Sequence, residues 1–253
     1  MPLSRIPRPR PTWIEPDPIP DDADLLALHP HRLVASLLYR RGIQTPDKAR
    51  AFLDPRGPES LDPLLLPNME RALARTAQAI NGDERIGIYG DYDADGVTST
   101  VLLTRALRSA TSDGQVVPFV PDRADGYGVS ERGVRLLAEA GCTLMIAVDC
   151  GSNDVEAVAL AQSLGMDVII LDHHSLNGDG PDGAILVSAQ LREDGTYREL
   201  TGVGVAYLFV LGLMELGHDI TRLEDGDASR LLDLVALGTV ANVGALSGAN
   251  RVL

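Results

Sequence analysis

Cysteine is scarce in this chain: Cys142 and Cys150 are the two in 253 residues, with no CxxC spacing. That excludes a disulfide-stapled scaffold and fits a reducing cytoplasm. Cys150 stands beside a candidate metal ligand, yet reads more simply as a small buried thiol. Aromatic residues make up only 4% of the chain, few for a platform on which bases stack. No apolar run approaches the length needed to span a bilayer, so no membrane partner is expected. The opening Met1-Pro2-Leu3-Ser4-Arg5 begins a proline-rich polar stretch and not a signal peptide. Basic residues are outnumbered, 22 Lys and Arg against 36 Asp and Glu, for a net charge of -14. Taken alone, this argues against nucleic acid, whose phosphates favour basic surfaces. Carboxylates that hold cations also add negative charge, so the balance is a caution and no more.

What is present is enough for a sizeable core: 45% hydrophobic and 23% charged residues describe an ordinary globular chain. Prolines at 2, 7, 9, 11, 16, 18 and 20 make residues 1–25 an extended arm, with Trp13 and Ile14 as its docking points. Residues 26–82 read as a small helical region. One helix covers about 31–41, with Leu33, Leu37 and Leu38 on one face. A second covers 46–53, with Thr45 as cap and Pro46 in the first turn. A third carries Met69, Leu73, Ala77 and Ile80 at helical spacing, capped by Asn68 and closed by Gly82. His29, His31 and His218 lack chemical company and read as surface or cap residues.

From residue 83 the rhythm changes to strand and helix in alternation. Strands are expected near 85–89, 116–120, 143–148, 167–171 and 184–187, and helices over 97–109, 130–140, 153–164, 203–216 and 227–238. The fold class is therefore α/β, a mostly parallel sheet flanked by helices and preceded by the small helical region. In such sheets the ligand site lies off the carboxyl ends of the strands.

The acids sit there. Gly90-Asp91-Tyr92-Asp93-Ala94-Asp95-Gly96 follows the first apolar run, Asp149 ends the run from Leu144, and Asp172-His173-His174 follows the next. Three carboxylates at alternate positions repel one another unless a counter-charge is present, so a divalent cation is expected. A calcium-binding EF-hand loop opens the same way, but it needs a preceding helix and a Glu at its twelfth position. Here a strand precedes and Leu102 is twelfth. The two histidines are expected on opposite faces, one as ligand and the other towards a second shell or the substrate. Arg123, in a glycine-containing loop, is a candidate phosphate clamp, or else pairs with Asp122 or Asp125. Gly202 and Gly204 open a helix whose bare amides suit a phosphate, although close packing explains the glycines equally well.

These motifs resemble the DHH phosphoesterase superfamily and, within it, the RecJ family of single-strand-specific 5′→3′ exonucleases. The carrying residues run from Gly90 to Thr100, with Gly126-Tyr127-Gly128, Val148-Asp149-Cys150-Gly151, Asp172-His173-His174, Gly202-Val203-Gly204-Val205-Ala206 and the stretch from Leu231 to Ala241. The preface fits as well, at Ala51-Phe52-Leu53-Asp54-Pro55 and Leu65-Leu66-Pro67. The resemblance covers about residue 25 to the end. It implies metal ligation by Asp93, Asp95, Asp149 and His173, with Asp91 beside them, His174 near the scissile phosphate, and two Mn2+ or Mg2+ ions bridged by Asp149. It also implies a phosphodiester hydrolase that works on single-stranded DNA in repair and recombination.

Four departures stand out. Asn242 replaces an expected Asp ligand, which implies one weaker metal site, since an amide oxygen is a poorer partner for a hard cation. Val187-Ser188-Ala189-Gln190 stands where Asn-Pro-Asn is usual, and Gly244-Ala245-Leu246 where Val-Pro-Leu is usual. The step from Arg123 to Gly126 is one residue short. The DHH domain is expected to occupy 83–253, with the second (DHHA1) domain and the oligonucleotide-binding barrel of the family absent, so that a partner or missing domain completes the cleft. Two other functions are then open: a phosphoesterase of short oligo- or dinucleotides, and an impaired binding or scaffold protein.

Overall fold

The computed structural model describes residues 12–14, 17–20, 24–28, 31–55, 61–217 and 228–253. Two compact units are present, Met1–Pro55 and Arg56–Leu253.

The first unit carries helices α1 (Leu25–Leu28), α2 (Arg32–Arg40) and α3 (Pro46–Leu53). The Thr45 side chain accepts from the Lys48 amide and Pro46 opens α3, as their chemistry predicts. Ile19, Leu25, Ala35, Leu38 and Ala49 form the core. Two expectations are corrected here. Trp13 and Ile14 are 93% and 88% exposed, and the arm's buried anchor is Ile19. On α2, Leu33 and Leu37 face outward and only Leu38 of the three is buried, because Ala35 lets the helix approach on its own side. His31 is exposed at the N-cap of α2, whereas His29 and His218 fall outside the described residues.

The second unit is built on a five-stranded, all-parallel sheet in the order β2-β1-β3-β4-β5. The strands are β1 (Ile86–Gly90), β2 (Val116–Phe119), β3 (Leu144–Val148), β4 (Asp167–Leu171) and β5 (Ile185–Val187). Strand alternation divides the apolar side chains between two cores. Ile86, Ile88, Leu144, Ile146, Val148, Ile169 and Leu171 point into one. Tyr89, Met145, Ala147, Val168 and Ile170 point into the other. Burial on both faces explains why β1 and β3 are continuous apolar runs.

The first core is covered by α4 (Met69–Asn81), α5 (Ala94–Ala110), α8 (Gly202–Glu215) and α9 (Leu232–Ala241). The second is covered by α6 (Glu131–Glu139) and α7 (Val155–Ser163), and a short α10 (Gly248–Val252) follows α9. Helix α8 is apolar nearly all round because it is buried nearly all round. Sequence grouped α4 with the N-terminal helices, yet it packs on α8 and β5 inside the second unit. Its Asn68 takes left-handed backbone and makes no side-chain cap; the amide instead donates to the Leu186 carbonyl at 2.7 Å.

Register sets up the site. Gly90 pairs with Val148, and Val148 with Leu171. The next residues on the three adjacent strands are Asp91, Asp149 and Asp172. The order of the strands reverses between β1 and β3, the position where doubly wound sheets open a crevice.

Candidate metal centre

Each segment of the centre is held by local geometry. Helix α5 begins at Ala94, earlier than the expected residue 97, because Asp93 is its N-cap and accepts from the Gly96 amide at 3.0 Å. Gly96 is required there: a Cβ would lie 2.5 Å from the Asp91 carbonyl oxygen, so only glycine lets the helix close on the strand end. Asp149 sits at φ +61, a left-handed conformation rare for a non-glycine residue and typical of functional turns.

Three strand ends converge on one cluster. Donor atoms of Asp91, Asp93 and Asp149 lie within 4.8 Å of one another, as do those of Asp149, His173 and His174. The groups share Asp149. The His173 and His174 rings are 4.5 Å apart, side by side and not on opposite faces, because both lie beyond the end of β4 where strand alternation no longer applies.

Electrostatics identify what the cluster lacks. Asp91 Oδ2, both oxygens of Asp149 and His173 Nε2 are buried with no hydrogen-bond partner. Burial pushes the Asp149 carboxyl up to about 10, and neighbouring Asp95, Asp93 and Asp172 push the same way. Burial also raises Asp91. His173 Nε2 lies 3.2 Å from Asp149 Oδ1. Four orphaned donor atoms on hard carboxylates and an imidazole fit a divalent cation such as Mn2+ or Mg2+.

Asp172 has a different task. It accepts from the amides of His173, His174 and Ser152, and from His174 Nδ1 at 2.8 Å. Burial opposes its charge, but the His174 ring and amide outweigh that and hold the carboxyl down to about 2. An ionised Asp172 can only accept, so His174 Nδ1 carries a proton. The same bond raises the His174 ring above its ordinary value, against the cost of burial.

The family model described as "DHH family, N-terminal domain" matches residues 85–239. The chain belongs to the DHH family. The match includes Asp91, Asp93, Asp95, Arg123, Asp149, His173, His174, Gly202 and Gly204, and ends before Asn242. Among curated relatives, the single-stranded-DNA-specific exonuclease RecJ of Bacillus subtilis is 41% identical over 229 residues. The alignment takes in 89% of this chain and 28% of that relative, so the chain spans just over a quarter of its length. Of solved structures, RecJ in complex with Mn2+ from Thermus thermophilus is 30% identical at a TM-score of 0.71, over 90% of this chain and 31% of that one. An exonuclease RecJ bound to manganese is 35% identical at 0.65, over 76% and 47%.

Other expected residues of this DHH centre take different places. The Gly202 amide donates to Asp95 Oδ2 and the Val203 amide to Asp95 Oδ1, both at 2.8 Å. Those amides are spent, so the expectation that Gly202 holds a phosphate gives way to an anchoring role. A Cβ on Gly202 would lie 2.5 Å from Asp149 Oδ1, which is the close approach that needs the glycine. Gly204 is buried, and a Cβ there would meet Leu200, Asn250 and Leu253. Asn242 presents Nδ2 to Asp95 Oδ2 at 2.9 Å, a donor where a ligand oxygen was expected. Asp125 is paired by Arg132, not by Arg123. Arg123 is exposed, lies over the Tyr92 ring and makes no ion pair among the described residues.

Two supporting residues escaped the sequence reading. Gln190 Nε2 donates to the His173 carbonyl at 3.0 Å, so the divergent stretch at 188–190 still braces the histidine turn. Asp154 accepts from the Val129 amide at 2.8 Å and fixes the loop that carries Tyr127. Neither bond leaves a sequence signal, since both join distant segments through the backbone.

Proposed function

We propose that this chain is the core of a RecJ-type, metal-dependent phosphodiester hydrolase, degrading single-stranded DNA from a 5′ end to mononucleotides in repair and recombination. The observation that carries this reading is the orphaned set of Asp91, Asp149 and His173 atoms at adjoining strand ends. Similarity to manganese-bound RecJ supports it. Within this reading the DHH domain occupies 83–253, after the arm at 1–25 and the helical region at 26–82. Two buried, unpaired cysteines accord with a reducing cytoplasm. Among the described residues no helix is long and apolar enough to cross a membrane.

Asp91, Asp93, Asp149 and His173 would hold two divalent ions, Mn2+ or Mg2+, with Asp149 shared. When bound, such ions supply Lewis acidity that neutralises phosphoryl oxygens and makes water nucleophilic at neutral pH. His174, backed at Nδ1 by Asp172, would act in its doubly protonated form, donating from Nε2, where Tyr127 Oη now sits, to a phosphoryl or leaving oxygen. Arg123, without an ion pair among the described residues, clamps a flanking phosphate.

The test uses the purified chain with end-labelled single strands, duplexes and dinucleotides, with Mn2+ or with chelator. Metal-dependent release of mononucleotides from the 5′ end of single strands is expected. Cleavage of dinucleotides alone would replace this reading with the short-substrate one, and no cleavage with bound metal would leave a binding protein.

A further inference from the structure

Asp95 has the chemistry of a cation ligand and the surroundings of a structural anchor. The side chain is fully buried. Oδ1 accepts from the Val203 amide, and Oδ2 accepts from both the Gly202 amide and Asn242 Nδ2. These are charge-assisted bonds to the N-terminus of a 14-residue helix, where an anion is favoured. Asp91 and Asp149 differ sharply, with three of their four oxygens orphaned. Asp95 also belongs to neither group of convergent donors.

The two groups are unequal in kind. One offers three carboxylates, from Asp91, Asp93 and Asp149; the other offers one carboxylate with two imidazoles. Asp172 is already committed to His174 Nδ1 at 2.8 Å, and the other carboxylate close to this group is Asp95, whose Oδ2 is 3.7 Å from His173 Nε2. That oxygen already takes two N–H donors, and Asn242 turns an N–H and not a lone pair towards it. Asn242 therefore helps hold Asp95 at the head of α8 and occupies the oxygen that faces the histidine side of the centre.

The geometry points to a centre with two ion positions of unequal affinity, in which the Asn242–Asp95 hydrogen bond keeps the histidine-side position weak. Asp95 is a positioning residue: it fixes α8, and through Gly202 it backs Asp149. The inference rests on the metal-centre reading above but not on cleavage, since it concerns ion binding without substrate.

The experiment counts Mn2+ on the full chain by titration calorimetry and by electron paramagnetic resonance, with no nucleic acid present. The wild type is expected to bind one equivalent at least about tenfold more tightly than a second, the scale on which residues outside the ligand set tune metal affinity. Asn242→Asp should tighten the second equivalent by about tenfold or more and leave the first little changed. In the metal-free state it sets two carboxylates together, so its melting temperature should fall and be recovered by Mn2+. Asp95→Asn should lower the melting temperature yet keep the first equivalent. Two equal sites in the wild type would overturn the inference, whether or not the variants fold. So would a second site unchanged by Asn242→Asp, or loss of the first equivalent in a folded Asp95→Asn. Absence of DNA cleavage would bear on the proposed function alone.

Discussion

Tyr127 Oη lies 2.8 Å from His174 Nε2, while on the far side of the same ring Nδ1 meets Asp172 at 2.8 Å. The tyrosine hydroxyl thus occupies the point from which Nε2 would meet a phosphoryl oxygen. Its ring stands edge-on to the imidazole, and Asp154 holds the loop beneath it. Removing His174 should cost about 10²-fold or more in turnover, the usual scale for a positioned proton donor. Tyr127→Phe should cost about tenfold, since it loses orientation and not the donor. Tyr127→Phe should melt close to the wild type, whereas His174→Ala should melt lower because it strips the buried Asp172 of its ring partner. Single-turnover release of mononucleotides checks the order, and an active His174→Ala would remove this residue from the mechanism.

The Asp172–His174 pair has a defined pH window in the metal-free protein. Asp172 is held down to about 2, so its contribution is present above the ordinary carboxylate range and is lost as pH falls from about 4 towards 2. His174 is raised, so its contribution is present below about 6.5 and is lost as pH rises through the folded-state value. Stability from the pair should therefore peak between those limits. Asp172→Asn should flatten the window and return the His174 ring towards its ordinary titration, as followed by imidazole NMR. An unchanged His174 titration would contradict the pairing.

Asp149 responds in the opposite sense. Its carboxyl is raised to about 10, so the metal-free folded state keeps a proton that the unfolded chain has lost. Stability from this group is full below about 4 and declines as pH rises towards the folded value. At pH 7 a cation must displace that proton, so Mn2+ binding should release protons and strengthen with pH. Calorimetry in buffers of different ionisation enthalpy measures this directly. Asp149→Asn, which tolerates the left-handed backbone, should raise metal-free stability by about 2 kcal/mol while abolishing the thermal shift caused by Mn2+.

Gly202→Ala tests the close approach between α8 and Asp149. A methyl group there would press on Asp149 Oδ1 and displace the helix start that Asp95 anchors. The expected cost is about 1–3 kcal/mol in urea unfolding, with weakened Mn2+ binding. Normal stability and normal metal affinity together would show that the helix start has room to move.

Strand and helix alternation was legible because β1 and β3 are buried on both faces and helices such as α6 begin at a polar cap, here Ser130. The strand-end acids were legible too, since Asp91 and Asp149 each follow directly on an apolar run that reads as a strand of a parallel sheet. The use of Asp95 was not. Its partners are backbone amides more than 100 residues away, and an acid that anchors a helix looks the same in sequence as one that holds an ion. The pairing of the histidines failed for a related reason: strand alternation was applied one turn beyond the end of β4. The N-terminal helix misled because three leucines at helical spacing show a stripe without showing which edge of it meets the core.

The register of β1, β3 and β4 makes the centre an alignment of three distant stretches of chain, each correct to a single residue. A slip of one position along β3 would preserve nearly all apolar burial on paper and still invert every side chain on the strand, sending Asp149 out of line with Asp91. Cation uptake at the proposed centre would therefore be a proofreading signal for the sheet as a whole. A molecule that captured Mn2+ there would already have paired its three central strands correctly, and one that had mispaired them would announce the error by staying silent.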